Sequence, residues 1–150
     1  MRKTARAILL KDDQVLLMDR NKFGLKYRAL VGGKIEIGET PEQALKREVL
    51  EEASITFKNE RLVIVEDAGS IFGIQYIYLC EYASGEMSLD INSEEFKISS
   101  MGKNLYKPIW FPTKDILNAN ILPKELNPLL DDFFKLGFPK DQPYQLKING

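Results

Sequence analysis

The chain has 150 residues, of which 44% are hydrophobic and 29% charged, with a formal net charge of −1. Such a chain can bury a core without disulfides, and we expect residues 1–150 to form a single domain. A nearly neutral charge favours neither duplex nucleic acid nor an anionic membrane as a partner. Because no stretch resembles a signal peptide or a membrane span, we expect a cytoplasmic protein.

Histidine is absent from the sequence, and Cys80 is its only cysteine. Ser-His-Asp and Cys-His catalysis are therefore excluded, as are His-ligated and all-thiolate zinc sites. Cys80 lies in an apolar run and is interpreted as a buried thiol. Any hydrolytic chemistry must then use carboxylates, hydroxyls, lysine or arginine, and we expect a hard metal ion to assist it.

Short runs rich in β-branched, aromatic and other apolar residues predict strands. In chain order these runs are 4–10, 14–19, 27–31, 55–57, 61–67, 71–82 and 105–111. The first two form a hairpin or lie as neighbouring strands, and the third should end at Gly32-Gly33. The run 71–82 is apolar on both faces in its middle, which is typical of a central strand covered on both sides.

The clearest helix signal begins at Thr40. Thr40 is placed as the N-cap, Pro41 suits the first helical position, and Gln43 completes a capping box. The residues 34–39 before it predict a loop, and the helix should run to about Ala53.

The second half of the chain carries weaker signals. The polar residues 83–104 predict a long surface loop, and 113–117 predict a short helix. Asn127 as N-cap and Gly137 past the last turn frame a C-terminal helix. We expect the chain after about Pro139 to be loosely held. These elements predict a mixed α/β domain.

Three glutamates on the first helix share one side of it. At about 100° per residue, Glu48, Glu51 and Glu52 fall within one arc of about 100°. The apolar stripe that borders this arc consists of Leu45, Val49, Leu50 and Ala53. Like charges at these spacings repel, and a divalent cation would turn the repulsion into ligation. The alternative is an ordinary solvated face. Glycines before the helix favour an anion at its N-terminus.

The stretch from Gly33 to Ile55 resembles the Nudix box. That signature is a Gly, five residues, a Glu, seven residues, Arg-Glu-aliphatic, one residue, Glu-Glu, one residue and Gly-aliphatic. The matching positions are Gly33, Glu39, Arg47, Glu48, Val49, Glu51, Glu52 and Ile55. Six fixed identities at background frequencies arise by chance on the order of once in ten million starting positions. Ser54 replaces the usual Gly, from which we expect a shifted or slightly strained turn and an intact site.

This resemblance implies a Nudix-type α/β/α sandwich with a mixed β-sheet, and a site for Mg²⁺, with Mn²⁺ as a substitute. The implied metal ligands are Glu48, Glu51, Glu52 and the carbonyl of Gly32. Arg47 would orient the glutamates, and Glu39 would brace the loop together with Gly33.

An acid outside the box often assists in similar proteins, and Glu94 and Glu95 are the candidates, with Glu95 preferred. The predicted catalytic set is Glu48, Glu51, Glu52, Arg47 and Glu95. The predicted substrate-binding residues are Gly33, Arg6, Arg28 and Tyr76. Tyr78, Phe72 and Arg20 are further candidates for contacts with a base or a phosphate.

Three functions are compatible with these residues. The first is an Mg²⁺-dependent pyrophosphohydrolase that cleaves the diphosphate of a nucleoside diphosphate linked to another moiety. The second is a catalytically silent Nudix domain that senses a nucleotide, and the third is a metal-free acid hydrolase with paired carboxylates. Ser70 stands where ADP-ribose hydrolysing members carry a proline, which disfavours that branch. The sequence is compatible with a monomer or a homodimer.

Overall fold

The computed structural model describes residues 2–88, 95, 97–98 and 101–148. Its strands are β1 (Lys3–Lys11), β2 (Gln14–Lys22), β3 (Leu25–Lys34), β4 (Thr56–Asp67), β5 (Ile74–Ser84), β6 (Asn104–Pro112) and β7 (Tyr144–Lys147). Its helices are α1 (Pro41–Ala53), α2 (Gly69–Phe72), the 3₁₀ helix Thr113–Asn118 and α3 (Leu126–Leu136). Within this part of the chain, no helix has the length and apolar character needed to cross a bilayer.

The strands form one mixed sheet in the order β6-β2-β3-β1-β5-β4-β7. The β1–β5 and β4–β7 pairs are parallel, and the other pairs are antiparallel. The central position predicted for the run 71–82 is confirmed, because β5 lies between β1 and β4.

Alternate residues along the strands build two separate cores. On one side of the sheet, Ala5, Ala7 and Leu9 of β1 pack with Leu45 and Val49 of α1; we call this side the α1 face. On the other side, which we call the α3 face, the sheet packs against the 3₁₀ helix and α3. That core includes Ile8, Leu17, Ile77, Ile116 and Leu130. The predicted α/β/α sandwich is confirmed.

The strand β3 is longer than its sequence predicts. β1 and β2 pair with each other only beside their turn, and β3 wedges between them, pairing with β1 through Thr4–Ala7. The predicted end at Gly32-Gly33 is wrong, since β3 continues to Lys34. Gly32 is needed within the strand because a Cβ there would lie 2.0 Å from the carbonyl oxygen of Ala5.

Two predicted strands, 55–57 and 61–67, are one bulged strand, β4, with register shifts against β5. The polar residues between them indicated a break, but Asn59 takes a left-handed conformation (φ 56°) within the strand. The start of the predicted strand 71–82 is also wrong, because the helical turn α2 occupies Gly69–Phe72.

The C-terminal region differs from its prediction at both ends of α3. Asn127 is not the N-cap, because α3 begins at Leu126 after Glu125. The Asn127 side chain instead accepts from the backbone N–H of Ile121 (2.9 Å) and donates to the Ile121 carbonyl (2.8 Å). The tail after about Pro139, which we expected to be loosely held, carries β7, and β7 pairs with β4 at the sheet edge.

Candidate metal and catalytic site

The start of α1 is fixed by its capping box, as the sequence predicts. The Thr40 hydroxyl accepts from the Gln43 N–H (3.1 Å), and the Gln43 side chain accepts from the Thr40 N–H (2.9 Å). Leu45 and Val49 are fully buried against the sheet. A fixed start and a fixed apolar stripe together set the rotation of the helix, which turns Glu48 and Glu52 toward β3.

Carboxylates from two parts of the chain meet beside this helix. Glu48, Glu52 and Glu95 each offer an oxygen, and these oxygens all lie within 4.8 Å of one another. The prediction from the Nudix box had Glu51 in this group. Glu51 is not one of the three residues that meet here; its side chain is 38% exposed, and one of its oxygens lies 3.6 Å from Arg47 Nη1. Glu94 lies outside the described residues.

The two glycines at the end of β3 allow the carboxylates to approach the sheet. The Gly32 N–H donates to Glu52 Oε2 at 3.1 Å. A Cβ on Gly33 would lie 2.6–2.7 Å from the carboxyl atoms of Glu48. The Gly32 carbonyl, which the resemblance implies as a metal ligand, accepts a hydrogen bond from Arg6 Nη1 at 3.0 Å.

Arg47 holds the loop and the cluster together. Its Nε and Nη2 donate to the two oxygens of Glu39 (2.8 and 2.9 Å), and its Nη1 donates to Glu48 Oε1 (2.9 Å). Nη2 also donates to the Lys34 carbonyl at 3.1 Å. The hydrogen bonds from Arg47 lower the pKa of Glu39 to about 2. These charge-assisted hydrogen bonds fit the orienting role expected of Arg47 and the bracing role expected of Glu39.

Burial makes the cluster costly to ionise without a cation. It raises the pKa of Glu48, and it raises the pKa of Glu52 to about 8 against the partial compensation of Arg6. The neighbouring carboxylate of Glu95 raises the pKa of both groups further. Three converging oxygen donors, of which Glu48 and Glu52 resist ionisation, fit a hard divalent cation, which favours the charged forms of these two groups.

A polar and aromatic surface lies next to the cluster on the α1 face. The guanidinium of Arg20 stacks 3.6 Å from the ring centroid of Tyr106 and donates to the Tyr27 hydroxyl at 3.1 Å. It also donates to the Asn104 side chain. Burial raises the pKa of Tyr106, and the carboxylates of Glu95 and Glu52 are close enough to raise it further.

Sequence reasoning missed Tyr106 and Tyr27 in this surface. Both are register partners of Arg20, on β6 and β3 respectively. Their shared position depends on strand pairing, and the only available signal was the alternation of residues along each strand.

Arg6, Arg28 and Tyr76, the other predicted substrate-binding residues, do not join the glutamate cluster. Arg6 and Arg28 lie on the α3 face, where Arg28 donates to the Ala119 carbonyl at 3.1 Å and lies 3.6 Å from Asp19. Tyr76 lies on the α1 face, half-buried against its core.

Ser54 occupies the turn that ends α1. Its backbone is left-handed (φ 59°, ψ 32°), the conformation for which Gly is favoured. The Ser54 hydroxyl donates to the Ser88 carbonyl at 2.8 Å, and the Ser88 N–H donates to the Ala53 carbonyl at 2.9 Å. The turn is thus strained as expected, and it anchors the start of the segment that leads to Glu95.

Comparisons with known proteins agree with this geometry. The model of the NUDIX domain matches residues 1–135. The NAD-capped RNA hydrolase NudC of Escherichia coli O1:K1 is 35% identical over 80 residues, which cover 53% of this chain and 31% of that protein. The chain therefore spans about a third of the length of this relative.

Solved structures show the same fold. The NUDIX hydrolase of Nitrosomonas europaea is 20% identical, with a TM-score of 0.71, covering 99% of this chain and 79% of that one. The MutT protein of Bacillus halodurans is 26% identical, with a TM-score of 0.61, covering 87% and 82% of the two chains. From the box on α1, the sheet that carries it and a domain match over most of its length, the chain belongs to the Nudix hydrolase family.

Proposed function

We propose that this protein is an Mg²⁺-dependent pyrophosphohydrolase that cleaves the diphosphate linkage of a nucleoside diphosphate joined to another moiety. The observation that carries the proposal is the meeting of oxygens from Glu48, Glu52 and Glu95 within 4.8 Å of one another. A domain that only sensed a nucleotide would have no need to collect buried carboxylates at such a cost in free energy. The cluster therefore favours the enzyme over the silent sensor.

The chemistry of the donors decides which cation they would hold. Glu48, Glu52 and Glu95 would hold Mg²⁺ or Mn²⁺, and Glu51 and the Gly32 carbonyl are the further candidates from the box. When bound, the cation would offset the charge of the diphosphate and acidify a water molecule.

The side chains of this protein have separate tasks in the reaction. A water oxygen attacks one phosphorus atom, the bond from that phosphorus to the bridging oxygen breaks, and the leaving phosphate departs with the electron pair. A carboxylate must take the proton of the attacking water, since the chain has no imidazole. Arg47 keeps Glu48 oriented through its 2.9 Å hydrogen bond while Glu39 holds the other side of the guanidinium.

The nucleoside part of the substrate would lie on the surface formed by Arg20, Tyr27 and Tyr106. An aromatic ring and a stacked guanidinium offer flat faces to a base. The surface lies on the same side of the sheet as the cluster, within electrostatic range of Glu52. A diphosphate would then extend from this surface toward the glutamates.

The relatives' names bear on the substrate class. NudC is named for hydrolysis of NAD-capped RNA, and another structural neighbour is an ADP-ribose pyrophosphatase from Streptococcus suis. Both of these substrates contain a nucleoside diphosphate joined to a second group. We extend that class, and no single member of it, to the present chain.

A nucleotide panel tests the proposal. We expect the purified protein with Mg²⁺ to cleave at least one nucleoside diphosphate derivative, nucleoside triphosphate or dinucleotide, with products separated by ion-exchange chromatography. Glu52→Gln should lower turnover by roughly 10²–10⁴-fold. The matched control is Glu42→Gln on the same helix, which retains an acceptor for the Tyr78 hydroxyl. Nucleotide binding without hydrolysis in Mg²⁺ or Mn²⁺ would favour the sensor.

A further inference from the structure

Arg6 is held in place on the side of the sheet opposite the glutamates. Its Nη1 donates to the carbonyls of Leu30 (3.2 Å) and Gly32 (3.0 Å) on β3. Its Nε donates to the Gln75 side chain on β5 at 3.1 Å. The Arg6 guanidinium is thus hydrogen-bonded to both neighbouring strands, whereas an arginine that binds a phosphate needs free N–H groups for the ligand.

The two carbonyls that accept from Arg6 lie on either side of the Gly32 N–H in the sequence. The backbone runs Leu30, Val31, Gly32, and the Gly32 N–H lies between the two bonded carbonyls. That N–H donates to Glu52 Oε2 at 3.1 Å on the opposite face. Glycine has the widest conformational freedom of all residues, and the two hydrogen bonds from Arg6 add to the strand pairing in restraining the backbone around this N–H.

The buried carboxylate of Glu66 supports Arg6 indirectly, through Gln75. Gln75 donates to Glu66 Oε2 at 2.6 Å, and Glu66 is fully buried. Glu66, Gln75, Arg6 and Gly32 lie on four adjacent strands, β4, β5, β1 and β3. The positive charge of Arg6 also acts on both buried acids, because it lowers the pKa of Glu52 and of Glu66 against the effect of their burial.

We propose that Arg6 is a positioning residue that acts through the Gly32 backbone on Glu52, with Gln75 and Glu66 as its support. The inference rests on the proposed function, because it assigns Glu52 to the metal site. According to this inference, Arg6 affects metal affinity and kcat, and it does not contact the substrate.

The test compares Arg6→Met and Arg6→Lys with Arg61→Met. Arg61 is the matched control, since it also donates to a backbone carbonyl, that of Pro139, and lies on β4, which is separated from β1 by β5. Three quantities are measured at equal folded fraction: the dissociation constant of Mn²⁺ by electron paramagnetic resonance, kcat and KM for a cleaved nucleotide, and hydrogen exchange at the Gly32 amide without metal.

We expect Arg6→Met to weaken Mn²⁺ binding by roughly 10–100-fold, as is typical when a residue that orients a metal ligand is lost. The value of kcat should fall while KM stays within about twofold, and the Gly32 amide should exchange faster in the metal-free protein. Arg6→Lys should recover part of the Mn²⁺ affinity, because it keeps the charge but not the planar fork.

Glu66→Gln adds a variant that keeps the volume of the support and removes its charge, and it should shift Mn²⁺ affinity in the same direction by less. Should Arg6→Met fail to fold, Arg6→Lys and Glu66→Gln carry the comparison.

Unchanged Mn²⁺ affinity and Gly32 exchange in folded Arg6 variants would overturn the inference and leave the proposed function standing. A raised KM with unchanged kcat would also overturn it, since that result assigns Arg6 to the substrate. Wild-type protein that binds no Mn²⁺ would overturn the proposed function itself, and this inference with it.

Discussion

Replacing Glu52 with glutamine should stabilise the metal-free protein, and the gain should grow with pH. Glu52 is 6% exposed, and burial raises its pKa from the ordinary 4.5 to about 8. Between these two values the unfolded chain releases the proton and the folded protein keeps it. The contribution of Glu52 to the free energy of unfolding of the wild type therefore falls as pH rises from about 4.5 to about 8, and this contribution is constant above that. Glutamine has no such proton and can still accept from the Gly32 N–H.

The size of this effect follows from the pKa of Glu52. A tenfold change in the ratio of protonated to ionised carboxyl is worth about 1.4 kcal/mol. A pKa raised from 4.5 to about 8 thus corresponds to about 5 kcal/mol as an upper bound. Because water and side chains rearrange around an ionised carboxylate, we expect a measured gain of about 2–4 kcal/mol at pH 9 and of less than about 1 kcal/mol at pH 5.

Urea unfolding at pH 5, 7 and 9 in the presence of EDTA measures this gain, with Glu42→Gln as the control for the change of residue type on α1. Excess Mg²⁺ should then stabilise the wild type at pH 9 more than it stabilises Glu52→Gln, since a cation that binds the folded state raises its stability. A gain that is equal at all three pH values, or equal stabilisation of both proteins by Mg²⁺, would refute the reasoning.

Two further substitutions examine the edges of the site. Tyr106→Leu should raise KM for a cleaved nucleotide by about tenfold with little change in kcat, because stacking of a base on an aromatic ring is worth about 1–3 kcal/mol. Steady-state kinetics measure both constants, with Tyr106→Phe, which keeps the ring, as the control. Equal KM values for the Leu and Phe variants would contradict base stacking. Ser54→Ala should lower the free energy of unfolding by about 1 kcal/mol through loss of the hydrogen bond to Ser88. Ser54→Gly should have nearly the wild-type free energy of unfolding, because relief of the left-handed strain offsets the loss of that hydrogen bond. Equal urea midpoints for the two variants would show that the strain has no cost.

The helix α1 could be predicted because its signals are local. The residues of its capping box are neighbours in sequence, and the spacing of its glutamates follows from the pitch of a helix. Both survive in the structure without reference to any other element. The same holds for the hairpin turn at Asp12-Asp13, where β1 and β2 first pair.

The sheet register could not be predicted, because it depends on how distant strands meet. The sequence gives no sign that β3 enters between β1 and β2, so the pairing of Arg6 with Gly32 stays hidden. Gly32 and Gly33 could not be recognised as strand residues, since glycine pairs are common loop signals. The strand β7 is also hidden, because its support comes from β4, which lies some 80 positions earlier in the chain.

The membership of the carboxylate cluster could be predicted further from the helix alone than the shared arc of the three glutamates suggests. With Glu48 at zero, Glu52 lies at about 40° and Glu51 at about 300°. The apolar residues that are buried, Leu45, Val49 and Ala53, form a stripe from about 60° to 140°, whereas Leu50, at about 200°, is 51% exposed. Distance from that stripe ranks the burial as Glu52, then Glu48, then Glu51. The exposures follow this ranking, at 6% and 8% for the first two residues and 38% for the Glu51 side chain.

The third carboxylate of the cluster, Glu95, does not belong to α1 but lies between β5 and β6 in the sequence. One oxygen of Glu51 lies 3.6 Å from Arg47 Nη1, and Glu51 is not among the three residues of the cluster. Helix geometry can name the two acids that face the sheet, but the third must come from a segment whose position depends on the complete fold.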